Sequence, residues 1–288
     1  GPASAPVQLR LSSVGSREPP SVQPGFGIRI LLAWWIYPIS GEYQVGFATG
    51  RDNLEFVNYG SFPAPGGYCA GSTVLAGGWF RRTSGALLTA RAQFPSLLST
   101  TETGNWIWTD QLNPSIRLAT ALQSAYGPPD NSIGSWKAAR LKQNDRAVWE
   151  NVLFQIMYGT RPVFLAVYTA DLKAGHAVLA YKVNAGSGQM YVSDPNYPEN
   201  GNRAVQWYFG SFVPFMAKAN ANAASNTPYT KFADATYMFW ESRNGISATI
   251  DQYLTNGLVE QYPRVSGTVT LKSGQVVAVN ATTNQVNV

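Results

Sequence analysis

The chain changes hydrophobic rhythm several times. From Ile28 to Val57 the apolar runs are short, as in Gln44-Val45-Gly46-Phe47, and are cut by Gly41, Gly46 and Gly50, which reads as strands and turns. Two later stretches carry a helical period. Asn113-Pro114 sets a capping residue ahead of a proline at the first helical position, and Ile116, Leu118, Ala119 and Leu122 continue an apolar stripe up to Gly127. Asp145 is expected to cap a second helix, in which Val148, Trp149, Val152, Leu153, Ile156 and Met157 recur at three- and four-residue spacings until Gly159. Beyond Arg161-Pro162, Val163 to Tyr168 reads as a buried strand. His176 to Val183 and Gln189 to Ser193 then read as two strands flanking the turn sequence Asn184-Ala185-Gly186-Ser187-Gly188. Arg203 to Phe215 and Tyr229 to Trp240 are further strand patterns, Ile246 to Leu254 a short helix, and the alternation from Val265 to Val288 a small β unit.

These elements define an α+β chain. Residues 1–27, rich in Ser and Pro, read as a flexible leader; residues 28–245 form the main domain; residues 246–288 add a helix and a small β appendage. The length of 288 residues suits one large domain with an addition, and an apolar share of 45% with nine Trp excludes disorder for most of it. Charged residues are only 13%, about half the usual share, so Ser, Thr, Asn and Gln must wet the surface. That balance suggests an extracellular or cell-surface location. Gly1-Pro2 reads as the remnant of a cleaved tag, and an export signal is expected to have been removed. The net charge of +5 is scattered apart from Lys137, Arg140, Lys142 and Arg146, so nucleic acid is not an expected partner. No apolar run reaches the ~18 residues of a membrane span; the run from Ile30 stops at Pro38.

Candidate chemistry follows from scarcity. The chain has one Cys and one His, which cannot build a zinc cluster of about four ligands. No phosphate-binding or dinucleotide glycine motif occurs, and Asp194, Asn196, Glu199 and Asn200 lack the bidentate carboxylate of a calcium loop. No cofactor or metal is expected. A nucleophile and a base remain. The loop Gly60 to Tyr68 should deliver Cys69 to a helix N-terminus, where a nearby imidazole and the helix dipole favour a thiolate. Gly66, Gly67, Ala70 and Gly71 are expected to leave room for a substrate backbone, with Gly66, Gly67, Tyr68 and Gly175 as cleft residues. Trp106 and Trp108, on one face of a strand by alternation, complete that set. His176 begins one strand and Asp194 ends the next, so a hairpin brings the carboxylate within reach of the imidazole to orient it.

The segments Gly67-Tyr68-Cys69-Ala70-Gly71-Ser72, Gly175-His176-Ala177-Val178-Leu179-Ala180-Tyr181 and Asp194-Pro195-Asn196-Tyr197-Pro198, in that order, resemble the papain-like cysteine peptidases, nearest to the bacteriocin-processing type. The resemblance covers roughly residues 28 to 245. It implies a helical half carrying Cys69 packed against an antiparallel sheet half carrying His176, with the site in the cleft between them. It also implies a thiol hydrolase acting on peptide or isopeptide bonds of a polypeptide substrate through Cys69, His176 and Asp194. A transfer of the acyl group to an amine would use the same residues, and a non-enzymatic binding module on the same scaffold is the competing class. The family's amide donor six residues before the cysteine is replaced by Pro63, and Asn58 is the candidate for that oxyanion role. Whether Asp194 or Asn196 orients His176 stays open at this point, the chain order favouring Asp194.

Overall fold

The computed structural model describes residues 40–61, 64–83, 88–95, 114–126, 144–236, 243–256, 267–270, 276–279 and 286–287. The chain divides into two units, Gly1–Ile39 and Ser40–Val288, and every described residue lies in the second. The architecture is α+β. Helices α1 (Cys69–Thr83), α2 (Ala90–Gln93), α3 (Pro114–Tyr126), α4 (Asp145–Gly159) and α5 (Arg243–Asn256) accompany an antiparallel sheet. The sheet contains β1 (Glu42–Gln44), β2 (Val163–Tyr168), β3 (Gly175–Asn184), β4 (Gln189–Ser193), β5 (Ala204–Tyr208) and β6 (Ser211–Phe212). A two-stranded ribbon of β7 (Phe215–Ala217) and β8 (Thr227–Tyr229) precedes its edge strand β9 (Lys231–Asp234). The sheet order is β6-β5-β4-β3-β2-β9, and β1 pairs with β3 beyond the end of β2. The tail pairs β10 (Gly267–Thr270), β11 (Val276–Val279) and β12 (Val286–Asn287) into a separate three-stranded sheet.

Every residue of β2 is buried, so both its faces are covered, as its unbroken apolar run requires. Helices α1 and α4 pack on β2 and β3. A bulge between Ala180 and Lys182 adds twist to β3. The sheet curls until Phe212 on one edge stands 4.5 Å, centroid to centroid, from Phe232 on the other. Trp149 of α4 stacks on Trp207 at 5.6 Å beside this closure, and Trp79 of α1 packs edge-on to Phe94. These three tryptophans serve packing.

The helix caps show where local chemistry differs from the expected pattern. Asn144, not Asp145, caps α4: its backbone is extended and its Oδ1 accepts the Ala147 N–H at 2.8 Å. Asp145 is already helical, and its carboxylate accepts the Phe212 N–H at 3.0 Å, joining α4 to the sheet edge. The strand pattern from Arg203 to Phe215 is broken into β5, β6 and β7, because Phe209 (φ 46°) and Gly210 (φ 91°) turn the chain back. The expected boundary at residue 245 falls inside α5, which packs on α1 and α3 through the buried Ile246 and Ile250. Among the described residues no helix is long and apolar enough to cross a membrane.

Helices α1 and α3 approach closely because position 71 has no side chain. A Cβ there would sit 1.8 Å from the Ala119 carbonyl oxygen, and the Gly71 N–H donates to Gln123 Oε1 at 2.8 Å. The expected substrate space at Gly71 is therefore filled by the backbone of α3. Gly71→Ala should destabilise the fold by about 3 kcal/mol, the upper part of the overpacking range. Gly66→Ala, where nothing lies within 4 Å, should cost less than about 0.5 kcal/mol. Paired denaturant melts of the two variants check this.

Candidate active site

Cys69 is the first residue of α1 and is half-buried. The first N–H groups of a helix have no intrahelical acceptor, so the thiol stands at a partly positive end of the backbone. One turn on, Thr73 Oγ1 lies 2.8 Å from the Cys69 carbonyl and 3.3 Å from the Ala177 carbonyl, a donor shared between the helix start and the strand residue after His176. That hydroxyl sets the cysteine end of α1 against the histidine end of β3.

His176 is the second residue of β3, opposite Val167 of β2. A continued β4 ladder would set Asn196 opposite it, since Ser193 pairs with Leu179. The ladder stops at Ser193 instead, and the chain turns with Tyr197 N–H donating to the Asp194 carbonyl at 2.8 Å. The Asp194 carboxylate thereby faces the ring: His176 Nε2–H donates to Asp194 Oδ1 at 2.8 Å, with both side chains fully buried. Asn196 has a supporting place, its N–H donating to Asp194 Oδ1 at 2.9 Å. Asp194 is thus the residue that orients the imidazole.

Nε2 being taken, Nδ1 is the ring nitrogen left for the sulfur. It makes no aligned hydrogen bond, while Cys69 acts on the ring by charge and as a hydrogen-bond partner. Burial works against a charged imidazole, but the Asp194 carboxylate and Cys69 together outweigh it, so the His176 pKa is pushed up to about 10. Burial likewise works to raise the Asp194 carboxyl. The imidazole, then Arg203 and the Asn196 N–H, hold it below the usual carboxylate range.

Two neighbours carry no motif in the sequence. Tyr229 of β8 covers the imidazole face, ring centroids 5.9 Å apart, and burial followed by the charges of Cys69 and Asp194 pushes its phenol pKa up. Arg203 reaches Asp194 Oδ2 with Nη2 at 3.0 Å and Nε at 3.3 Å. The available signal for Arg203 was topological: it precedes β5, the strand that returns along β4, with Val192 N–H donating to its carbonyl at 2.8 Å.

Asn58 is fully buried rather than open to a cleft. Its Oδ1 accepts the Tyr68 N–H at 2.5 Å and its Nδ2 donates to Asn196 Oδ1 at 2.9 Å. Its own N–H donates to the Pro195 carbonyl at 3.0 Å. The side chain is a strut between the cysteine loop and the aspartate loop, so the oxyanion assignment is corrected to that role. Gly67 exists to admit this strut: with φ at 122°, a Cβ would meet Asn58 Oδ1 at 2.8 Å. Tyr68 is core rather than cleft, wholly buried, with its hydroxyl on the Val57 carbonyl at 2.7 Å. Gly66 and Gly175 are exposed, on the cysteine loop and immediately before His176. Trp106 and Trp108 lie outside the described residues. A strap at Lys218–Asn222 crosses the same region: Asn220 Nδ2 donates to the Gly66 carbonyl at 3.2 Å and Asn222 Nδ2 to the Tyr59 carbonyl at 3.0 Å.

No family model, curated protein or solved structure matches this chain. The geometry is therefore the ground for a functional reading.

The charged pair should appear in stability against pH. A raised imidazole pKa contributes stability that is fully present below the unfolded value of 6.5 and is lost as pH rises to the folded value of about 10. The depressed Asp194 value contributes stability present above the ordinary carboxylate value of 3.8 and lost as pH falls through the folded one. Thermal melts of wild type and His176→Gln should converge as pH approaches 10 and be furthest apart near pH 6. Parallel curves across that range would contradict the pair.

Proposed function

We propose that this chain is a papain-like thiol hydrolase that cleaves peptide or isopeptide bonds in a polypeptide outside the cell or at its surface. The observation that carries the reading is the order of contacts: a cysteine at a helix start, an imidazole acted on by that sulfur, and a buried carboxylate on the far ring nitrogen at 2.8 Å. A helix bearing the nucleophile against an antiparallel sheet bearing the base supports the papain-like assignment.

In this reading the Cys69 proton resides on His176, and the sulfur attacks the carbonyl carbon to give a tetrahedral oxyanion. The Cys69 backbone N–H, free of any intrahelical acceptor, is positioned to donate to that oxygen. Collapse breaks the C–N bond, and His176 gives its proton to the departing amine. Water, its proton taken by His176, then cleaves the thioester and restores the pair. An amine in place of water makes the enzyme a transferase.

A second reading rests on the burial of the imidazole, which is only 2% exposed. A binding module on this scaffold needs no access to that ring.

Cys69→Ala should remove activity by a factor on the order of 10⁴ while leaving the melting temperature within a few degrees. In the wild type, iodoacetamide should label Cys69 faster than it labels free cysteine at the same pH, and His176→Ala should remove that advantage. An inert thiol, together with ligand binding that survives Cys69→Ala, would favour the module.

A further inference from the structure

The Arg203 guanidinium lies between two aromatic rings, 4.5 Å from the Tyr197 centroid and 4.7 Å from that of Phe215. From that slot Nε and Nη2 both reach Asp194 Oδ2, and Nη2 also donates to the Met216 carbonyl at 2.7 Å. The contacts divide the carboxylate cleanly. Oδ1 serves His176 and the Asn196 N–H, and Oδ2 serves Arg203.

We propose that Arg203 is a positioning residue of the thiol hydrolase: clamped between Tyr197 and Phe215, it fixes the Asp194 carboxylate against His176 and makes the buried site neutral in its working form. The inference rests on the reading of the site given above. Along Arg203, Asp194, His176 and Cys69 the charges alternate once the thiol proton is on the imidazole. Without Arg203 the remaining row of buried Asp194, buried His176 and half-buried Cys69 carries a net negative charge, and one carboxylate oxygen loses its described donors, which is costly where water is excluded. The titratable groups that act on Asp194 are His176 on β3, Arg203 before β5, and Tyr229 on β8, with Cys69 on α1 beyond the imidazole. Only Arg203 supplies a second positive charge among them. Lysine is a poor substitute, because a compact ammonium neither fills a flat slot between rings nor divides its donors between a carboxylate and a carbonyl.

The test is the pH profile of Cys69 alkylation by iodoacetamide in the full chain, for wild type, Arg203→Met and Arg203→Lys, with a thermal melt of each. This readout needs no peptide substrate. In Arg203→Met the acid limb should move up by about one pH unit or more, the size of effect expected when a carboxylate loses a neighbouring cation. Alkylation at the midpoint of the wild-type acid limb should then fall several-fold. Arg203→Lys should restore part of the limb and remain below wild type in rate. A folded Arg203→Met variant with the wild-type acid limb overturns the proposal. If Arg203→Met does not fold, Arg203→Lys identical to wild type in limb and rate overturns it instead. A wild-type thiol that is inert at low pH and indifferent to His176→Ala sinks the hydrolase reading itself, a result distinct from either of these.

Discussion

A carboxylate taken wholly out of water must have its charge answered by the protein, and Asp194 is such a group. The answer draws on three places in the chain: the ring of His176, the Asn196 N–H at the following turn, and the fork of Arg203. Each imposes a requirement on the fold. The β3–β4 hairpin must end where the turn at Pro195 can swing the carboxylate inward. The return to β5 must set Arg203 beside it, and the β7–β8 ribbon must bring Phe215 and Tyr229 over the guanidinium and the imidazole. The sheet end is thus organised around one negative charge.

The sulfur is brought to this charge by a different set of contacts. Helix α1 is pressed to α3 by the missing side chain at Gly71, and its first turn is joined to β3 by the Thr73 hydroxyl. Asn58 then links the loop before Cys69 to the loop after Asp194 with one amide. Because Asn58 bonds to both loops, the separation between Cys69 and His176 depends on a strut whose own partners are Tyr68 and Asn196. The Lys218–Asn222 strap adds hydrogen bonds across the same seam, to the Gly66 and Tyr59 carbonyls and from the Asn196 side chain.

Much of the scaffold was legible because the sequence periods are strong. The α4 stripe, the β2 run and the β3–β4 hairpin with its Asn-Ala-Gly-Ser-Gly turn appear where the pattern sets them. Cys69, His176 and Asp194 stand out in the sequence because Cys69 and His176 are each alone of their kind and because hairpin geometry pairs a strand start with the following strand end. Sequence and structure part near Cys69 for one cause: small and polar residues that read as substrate space are used by tertiary packing. Gly71 makes room for α3, Gly67 for Asn58, and Asn58 is consumed by two loops. Arg203 and Tyr229 carry no local pattern, because their roles arise only when distant strands meet. The cap at Asn144 was displaced by one residue because Asp145 has a tertiary partner in Phe212.

Since the chain holds a single histidine, the nitrogen chemical shifts of its imidazole can be followed by NMR without ambiguity. In the native wild type at neutral pH both ring nitrogens should report protonation, and the signal should titrate only on approach to the pH of about 10 to which the buried carboxylate and the sulfur raise it. A ring found neutral at pH 7, or titrating near the ordinary value of 6.5, would contradict the charged pair on which the account rests.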